Sequence, residues 1–297
     1  MDLGLDGRVA LVPGASRGLG RASALELLRE GASVMLSARD EAALARAADE
    51  LARGIDEDAA PAGLDPVTAD DADIWLAPRP RAAAHGRLAW TAGDLALPDT
   101  GARLVRETVD RFGRLDVLVV NAGGPVPGPF ESITEDDWRR AVDLTFLSAV
   151  RLVRAAIPFL RDERVRRAGG GRIVFIESGS VKQPVDNLVT SNSVRSAVQG
   201  LMKTLSIELA PDGILVNAVG PGRIETDRVR RLDADAAART GRSEEEIRAE
   251  YVRSIPVGRY GLPSELGAVV AFLASARASY VTGTLIPVDG GQTRSNP

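Results

Sequence analysis

The stretch Val9-Ala10-Leu11-Val12-Pro13-Gly14-Ala15-Ser16-Arg17-Gly18-Leu19-Gly20 decides the fold. Its first residues form a short apolar run that reads as a buried strand, its glycines mark a tight turn, and Leu19 to Arg29 continues with helical periodicity. Glycine lets a backbone come close to a pyrophosphate, and a helix N-terminus offers free N–H groups and the positive end of a dipole. Strand, turn and helix in that order point to a dinucleotide phosphate site. A tight turn that holds no ligand is the alternative reading.

Working outward, Ser33 to Ser37, Leu88 to Ala92, Val117 to Val120, Ile173 to Ile176 and Leu215 to Val219 read as further strands. Their near-continuous apolarity suits a parallel sheet covered on both faces. Between them, Thr100 to Phe112, Trp138 to Leu160, Ser193 to Leu209 and Ser264 to Ala274 have helical patterns, and Ser243-Glu244-Glu245-Glu246 starts a capped helix. This alternation predicts an α/β fold, a Rossmann-type doubly wound parallel sheet in three layers, as one domain over residues 1–297. An insertion at about 54–86, rich in Ala, Pro and Asp, breaks the rhythm and is either a functional lid or a mobile excursion. The basic, glycine-rich run Arg161 to Gly171 reads as a solvated loop.

Hydrophobic residues make up 44% of the 297 and charged residues 26%, the balance of a soluble globular enzyme. A net charge of −4 gives no reason to expect nucleic acid. With no cysteine and one histidine, His85, neither a disulfide, a thiolate nucleophile nor a metal site is expected. Met1-Asp2-Leu3-Gly4 lacks the regions of a signal peptide, and no apolar run reaches the roughly 18 residues of a membrane span. A cytoplasmic protein is the expectation. Lys182 and Lys203 are the only lysines among 37 basic residues, so an arginine carries little information by itself.

Gly14-x-x-x-Gly18-x-Gly20 is similar to the glycine motif of the short-chain dehydrogenase/reductase superfamily, with Pro13 where that motif has threonine. Asp94-Leu95 resembles the family's adenine-side aspartate, and Asn121-Ala122-Gly123-Gly124 its N-A-G turn. Pro221-Gly222-Arg223-Ile224-Glu225-Thr226 resembles the P-G-x-x-x-T beside the nicotinamide, and Val288-Asp289-Gly290-Gly291 the closing V-D-G-G. The tone is closest to 3-oxoacyl-carrier-protein reductase-like members. The resemblance assigns cofactor contacts to Gly14, Ser16, Arg17, Gly18, Leu19, Gly20, Arg39, Asp94, Leu95, Asn121, Ala122, Gly123, Arg195, Pro221, Gly222, Ile224 and Thr226.

The second strand ends Leu36-Ser37-Ala38-Arg39, where an NAD site would place an acidic residue for the ribose hydroxyls. Ala38 removes that acceptor and its repulsion of a 2′-phosphate. Arg39 and Arg17 then offer guanidinium forks to the phosphate, so NADP(H) is preferred over NAD(H).

The family's catalytic group is Ser, Tyr, Lys and Asn. Laid on this chain from both sides, the pattern gives Ser178 at the Ser, but Ser191 at the Tyr, Arg195 at the Lys and Thr145 at the Asn. Ser178 can still bond a substrate oxygen, and Arg195 can anchor the ribose, though a guanidinium does not relay a proton. Ser191 is a poor acid beside a phenol, so the proton comes from Ser191 through water or from Lys182, with Glu177 a further candidate.

The resemblance implies a carbonyl or alcohol substrate, with an acyl thioester one option, walled by 124–130, 181–188 and 223–251. Arg223 and Arg228 are candidates to meet an acidic group. It also implies a homodimer or homotetramer through Ser193 to Leu209 and Leu285 to Val288. The leading function is an NADP-dependent oxidoreductase. The rivals are a nucleotide-binding sensor or scaffold without turnover and a non-redox enzyme on the same fold.

Overall fold

The structure, a computed structural model, describes residues 2–56 and 86–295. The first half comprises β1 (Val9–Pro13), α1 (Gly18–Arg29), β2 (Ser33–Ala38), α2 (Glu41–Asp56), β3 (Leu88–Ala92), α3 (Thr100–Phe112) and β4 (Val117–Val120). Then follow α4 (Glu135–Ala141), α5 (Ser148–Leu160), α6 (Glu163–Arg167), β5 (Arg172–Ile176), α7 (Val189–Glu208) and β6 (Leu215–Pro221). The chain closes with α8 (Asp227–Thr240), α9 (Glu244–Ser254), α10 (Pro263–Ala274) and β7 (Leu285–Val288). Most of the expected insertion, residues 57–85, lies outside the described residues.

All strands pair in parallel in one seven-stranded sheet ordered β3-β2-β1-β4-β5-β6-β7. Every residue of β1, β4 and β5 is buried, which is why these strands show unbroken rather than alternating apolar sequence. Leu27, Leu28, Leu266 and Val270 cover one face from α1 and α10, while Leu104, Leu152 and Met202 cover the other from α3, α5 and α7. The expected three-layer, doubly wound architecture is therefore present. No helix among the described residues is long and apolar enough to cross a membrane.

β1 lies between β2 and β4, so the chain leaves the carboxyl ends of β1 and β4 in opposite directions and opens a crevice there. The other end of the sheet is closed by charge. Asp116 accepts hydrogen bonds from the Val9 N–H at 2.9 Å and from Arg114 at 2.8 and 2.6 Å, and Arg8 donates to the Gly170 carbonyl.

Two expectations need correction. The single helix expected over Trp138 to Leu160 is broken into α4 and α5 by a π-helical turn at Val142–Leu147, which carries Thr145 inward to 6% exposure. Such a turn locally shifts the helical register and is frequent at functional sites. The expected loop over Arg161 to Gly171 contains α6, because Asp162 caps the Arg164 N–H at 2.8 Å and Val165 is anchored in the interior.

Candidate active site

The crevice begins with the glycine turn. Gly14 has φ +65°, and a Cβ on Gly20 would run into the Gly14 carbonyl oxygen and stand 2.8 Å from Asn121 Nδ2. Glycine is required at both positions by backbone geometry. Asn121, just beyond β4, donates to the Pro13 carbonyl at 3.0 Å and the Gly14 carbonyl at 3.4 Å, tying the turn to the neighbouring strand. Helix α1 starts at Gly18 with no side-chain cap and no acidic residue in its first turn, so its leading N–H groups meet no side-chain acceptor there.

At the end of β2, Ala38 is followed by Arg39. Arg39 and Arg17 are both exposed and have no carboxylate partner among the described residues. At the end of β3, Asp94 accepts the Ala96 N–H at 3.0 Å, while the Leu95 side chain is turned into the core and leaves only its backbone to a ligand. Ala122 and Gly123 follow Asn121 on the opposite lip. Beyond β6, Gly222 donates to the Val288 carbonyl at 3.0 Å, Ile224 is buried, and Thr226 caps α8 through the Val229 N–H at 3.3 Å.

The tetrad positions gather around the carboxyl end of β5. Ser178 accepts the Ser180 N–H at 3.1 Å, which leaves its own O–H free to donate. Arg195, on α7, donates from Nη1 to the Ile176 carbonyl at 3.1 Å and lies 3.5 Å from Glu177 Oε2. Glu177 is 3% exposed, and burial pushes its carboxyl above the usual carboxylate range although the Arg195 charge pulls the other way. Ser191 is buried in the first turns of α7. Lys182 is half-buried after the short turn Gly179–Val181 and has no side-chain partner among the described residues. It does not line the cavity that Thr145, Glu177 and Arg195 share.

The pocket wall expected over residues 223–251 is built from α8 and α9. Arg223, expected as a substrate contact, is instead paired with Asp233, and its guanidinium lies 3.3 Å from the centroid of the Tyr251 ring. Asp233 also accepts the Tyr260 hydroxyl at 2.9 Å, and burial together with that bond pushes the Tyr260 phenol up. Arg223 therefore anchors this wall. Arg228 differs: its guanidinium reaches over the cleft to the Gly124 and Pro125 carbonyls at 3.5 and 3.4 Å and meets no carboxylate among the described residues. On the far wall, Gly128 donates to the Asn187 carbonyl at 2.6 Å and Thr190 donates to the Val126 carbonyl at 3.0 Å.

A phosphate cradle at the switch point of a parallel sheet, with a serine and a fixed cation beside it, defines a dinucleotide-dependent oxidoreductase. Residues 67–293 match the family model described as enoyl-(acyl carrier protein) reductase, and residues 8–77 match that described as short chain dehydrogenase. The chain belongs to the short-chain dehydrogenase/reductase superfamily. It is 30% identical over 288 residues to NADPH-dependent reductase BacG of Bacillus subtilis, covering 97% of this chain and 98% of that one. L-sorbose reductase from Gluconobacter frateurii, solved with NADPH and L-sorbose, has a TM-score of 0.81 at 28% identity over 100% of both chains. A short chain oxidoreductase from Pseudomonas aeruginosa PAO1, described as containing an atypical catalytic center, has a TM-score of 0.79 at 28% identity over 100% of both chains.

Proposed function

We propose that the chain reduces a ketone carried by an acidic small molecule, or oxidises the matching alcohol, in the manner of a 3-oxoacyl reductase. Its activity is interconversion of a carbonyl and an alcohol, and its cofactor is NADP(H). One observation carries the reading: an intact phosphate cradle stands beside a β2 end where Ala38 supplies no acid and Arg39 and Arg17 have no carboxylate partner among the described residues. When bound, NADPH supplies hydride from the nicotinamide to the carbonyl carbon.

The chain's own groups divide the remaining work. Gly14, Gly18, Gly20 and the α1 N-terminus hold the pyrophosphate, and Asn121 keeps that turn in place. Arg39 and Arg17 hold the 2′-phosphate. Ser178 donates its free O–H to the substrate oxygen. Arg195 uses its uncommitted N–H groups to hold the ribose and keeps a permanent positive charge beside the site. Arg228, meeting no carboxylate among the described residues, is placed to take a carboxylate or phosphate on the substrate, with an acyl thioester one form of it.

The sensor and non-redox alternatives are not favoured, since the named relatives are reductases. A homodimer or homotetramer through α7 and β7 is part of the proposal, supported by Ile207, which is 68% exposed on α7. A monomer by light scattering at micromolar concentration would refute it. A cytoplasmic setting fits a chain without cysteine. The test of function is fluorescence titration with NADPH and NADH, followed by a panel of ketones that includes 3-oxoacyl thioesters. Tighter NADPH binding with turnover is expected, and binding without turnover on any member would overturn the reading.

A further inference from the structure

Behind the catalytic face lies a small cavity with room for a single water. Its polar lining is Asn121 from the end of β4, Thr145 and Ser148 from the π turn and the start of α5, Glu177 from the end of β5 and Arg195 from α7. Thr145 Oγ1 is buried there with no hydrogen-bond partner. Glu177, nine-tenths buried and more, has Arg195, at 3.5 Å, as its only side-chain partner among the described residues. An unpaired hydroxyl and a half-satisfied carboxyl facing one small space are the partners a water needs.

The chemistry of the neighbours shows what such a carboxyl is for. Arg195 holds charge but gives up no proton, and Thr145 and Ser148 are alcohols far too weak to act as acids near neutrality. Among the residues that line the cavity, Glu177 alone can lose and regain a proton in the working range. Before transfer, a neutral carboxyl beside Arg195 leaves the pair with one positive charge. After transfer, the same two groups form an ion pair, so the product of proton release is the arrangement that Arg195 favours.

We propose that Glu177, acting through one water shared with Thr145, is the proton reservoir of the reduction, and that Arg195 holds the carboxylate left behind. The inference rests on the reductase reading. The carboxyl O–H bond breaks and its proton passes to the water. A proton from that water moves on toward the substrate oxygen, which carries the negative charge once the carbonyl carbon has accepted hydride. Solvent reprotonates Glu177 before the next cycle. Burial, which raises the carboxyl, keeps it protonated beyond the usual carboxylate range, and the opposing Arg195 charge keeps the proton transferable. Of the groups that face it, Arg195 is the charged one; Asn121, Thr145 and Ser148 do not titrate, and β6 contributes the Val219 carbonyl, which accepts the Glu177 N–H at 2.8 Å. Because it works through water, Glu177 is a relay and positioning residue.

The test is Glu177→Gln, which keeps size and hydrogen bonding but carries no transferable acid, with Thr145→Val as a second variant that removes the water's other partner. For Glu177→Gln, kcat for ketone reduction is expected to fall by about 100-fold or more, with NADPH affinity unchanged. Wild-type kcat is expected to decline toward alkaline pH, and that decline is expected to vanish in this variant. Thr145→Val is expected to lower kcat in the same direction with NADPH affinity retained. In the ligand-free wild type, infrared titration is expected to show a protonated-carboxyl band that is absent from Glu177→Gln. An unchanged kcat and pH profile in an active, folded Glu177→Gln protein would overturn the proposal while leaving the reductase reading intact. Weaker NADPH binding with an unchanged pH profile would reduce Glu177 to a strut for Arg195 and overturn it too. A wild type that turns over no ketone removes the reductase reading and the relay with it.

Discussion

Replacing Arg39 by alanine deletes one of the two guanidinium groups assigned to the 2′-phosphate. A hydrogen bond to a charged group contributes about 1.5–3 kcal/mol. Arg39 is exposed, so solvent screening places it at the low end of that range. The expected loss of about 1.5 kcal/mol raises the NADPH Kd roughly tenfold. NADH lacks the phosphate, so its Kd stays where it was. Arg39→Ala combined with Arg17→Ala costs roughly 100-fold if the two act independently. Ala38→Asp works in the opposite sense, since it restores an acceptor for the ribose hydroxyls and sets a like charge against the phosphate. Fluorescence titrations at low and at near-physiological salt are the assay. The Arg39 effect should shrink as salt rises, because exposed charges are screened over about 10 Å at 0.1 M. Equal weakening of NADPH and NADH by Arg39→Ala would refute the assignment.

Other outcomes follow from the same structure. Asp116→Ala strips the buried partner from Arg8, Arg114 and the Val9 N–H, and should cost about 3–5 kcal/mol in urea unfolding; a loss below about 1 kcal/mol would mean the pair is not buried as described. Asn121→Ala frees the Pro13 and Gly14 carbonyls and should weaken NADPH and NADH binding alike while lowering stability by about 1–3 kcal/mol; an unchanged affinity would show that the turn holds itself. Arg228→Ala should raise the KM of an acidic ketone without moving that of a neutral one, and equal effects on both would remove its assigned role. The folded pKa of Glu177 lies above its unfolded value of about 4.3, so the stability it contributes is full below that value and is lost as pH rises through the folded pKa. Thermal melts of the wild type should therefore fall relative to Glu177→Gln as pH rises from about 4.3, and a widening gap in the wild type's favour would contradict the burial.

The fold was legible because its determinants are local. The apolar runs of β1, β4 and β5, the turn from Gly14 to Gly20 and the capping box at Ser243 each carry their structural meaning in a few consecutive residues. The cofactor half was legible for the same reason. The π turn at Val142–Leu147 was not, since an α-helix and a π-helix share one apolar pattern and differ only in how neighbouring elements force the register. Arg223 and Arg228 look alike in sequence, and only the approach of Asp233 from α8 and of the Tyr251 ring from α9 separates an anchor from a guanidinium that meets no carboxylate among the described residues. Glu177 did leave a local trace, an acid placed directly after the buried strand Arg172–Ile176. Its pairing with Arg195 and its cavity depend on α5 and α7 closing around it, which no short stretch of sequence records.

Hydride transfer is tested most directly by supplying NADPH deuterated at the reactive C4 position together with a ketone that the protein turns over, and reading the alcohol product by mass spectrometry. One deuterium is expected on the carbinol carbon from one of the two C4 positions, at a rate that falls in Ser178→Ala. An alcohol formed without the label, or labelled cofactor that binds and is recovered unchanged with every ketone offered, would contradict it.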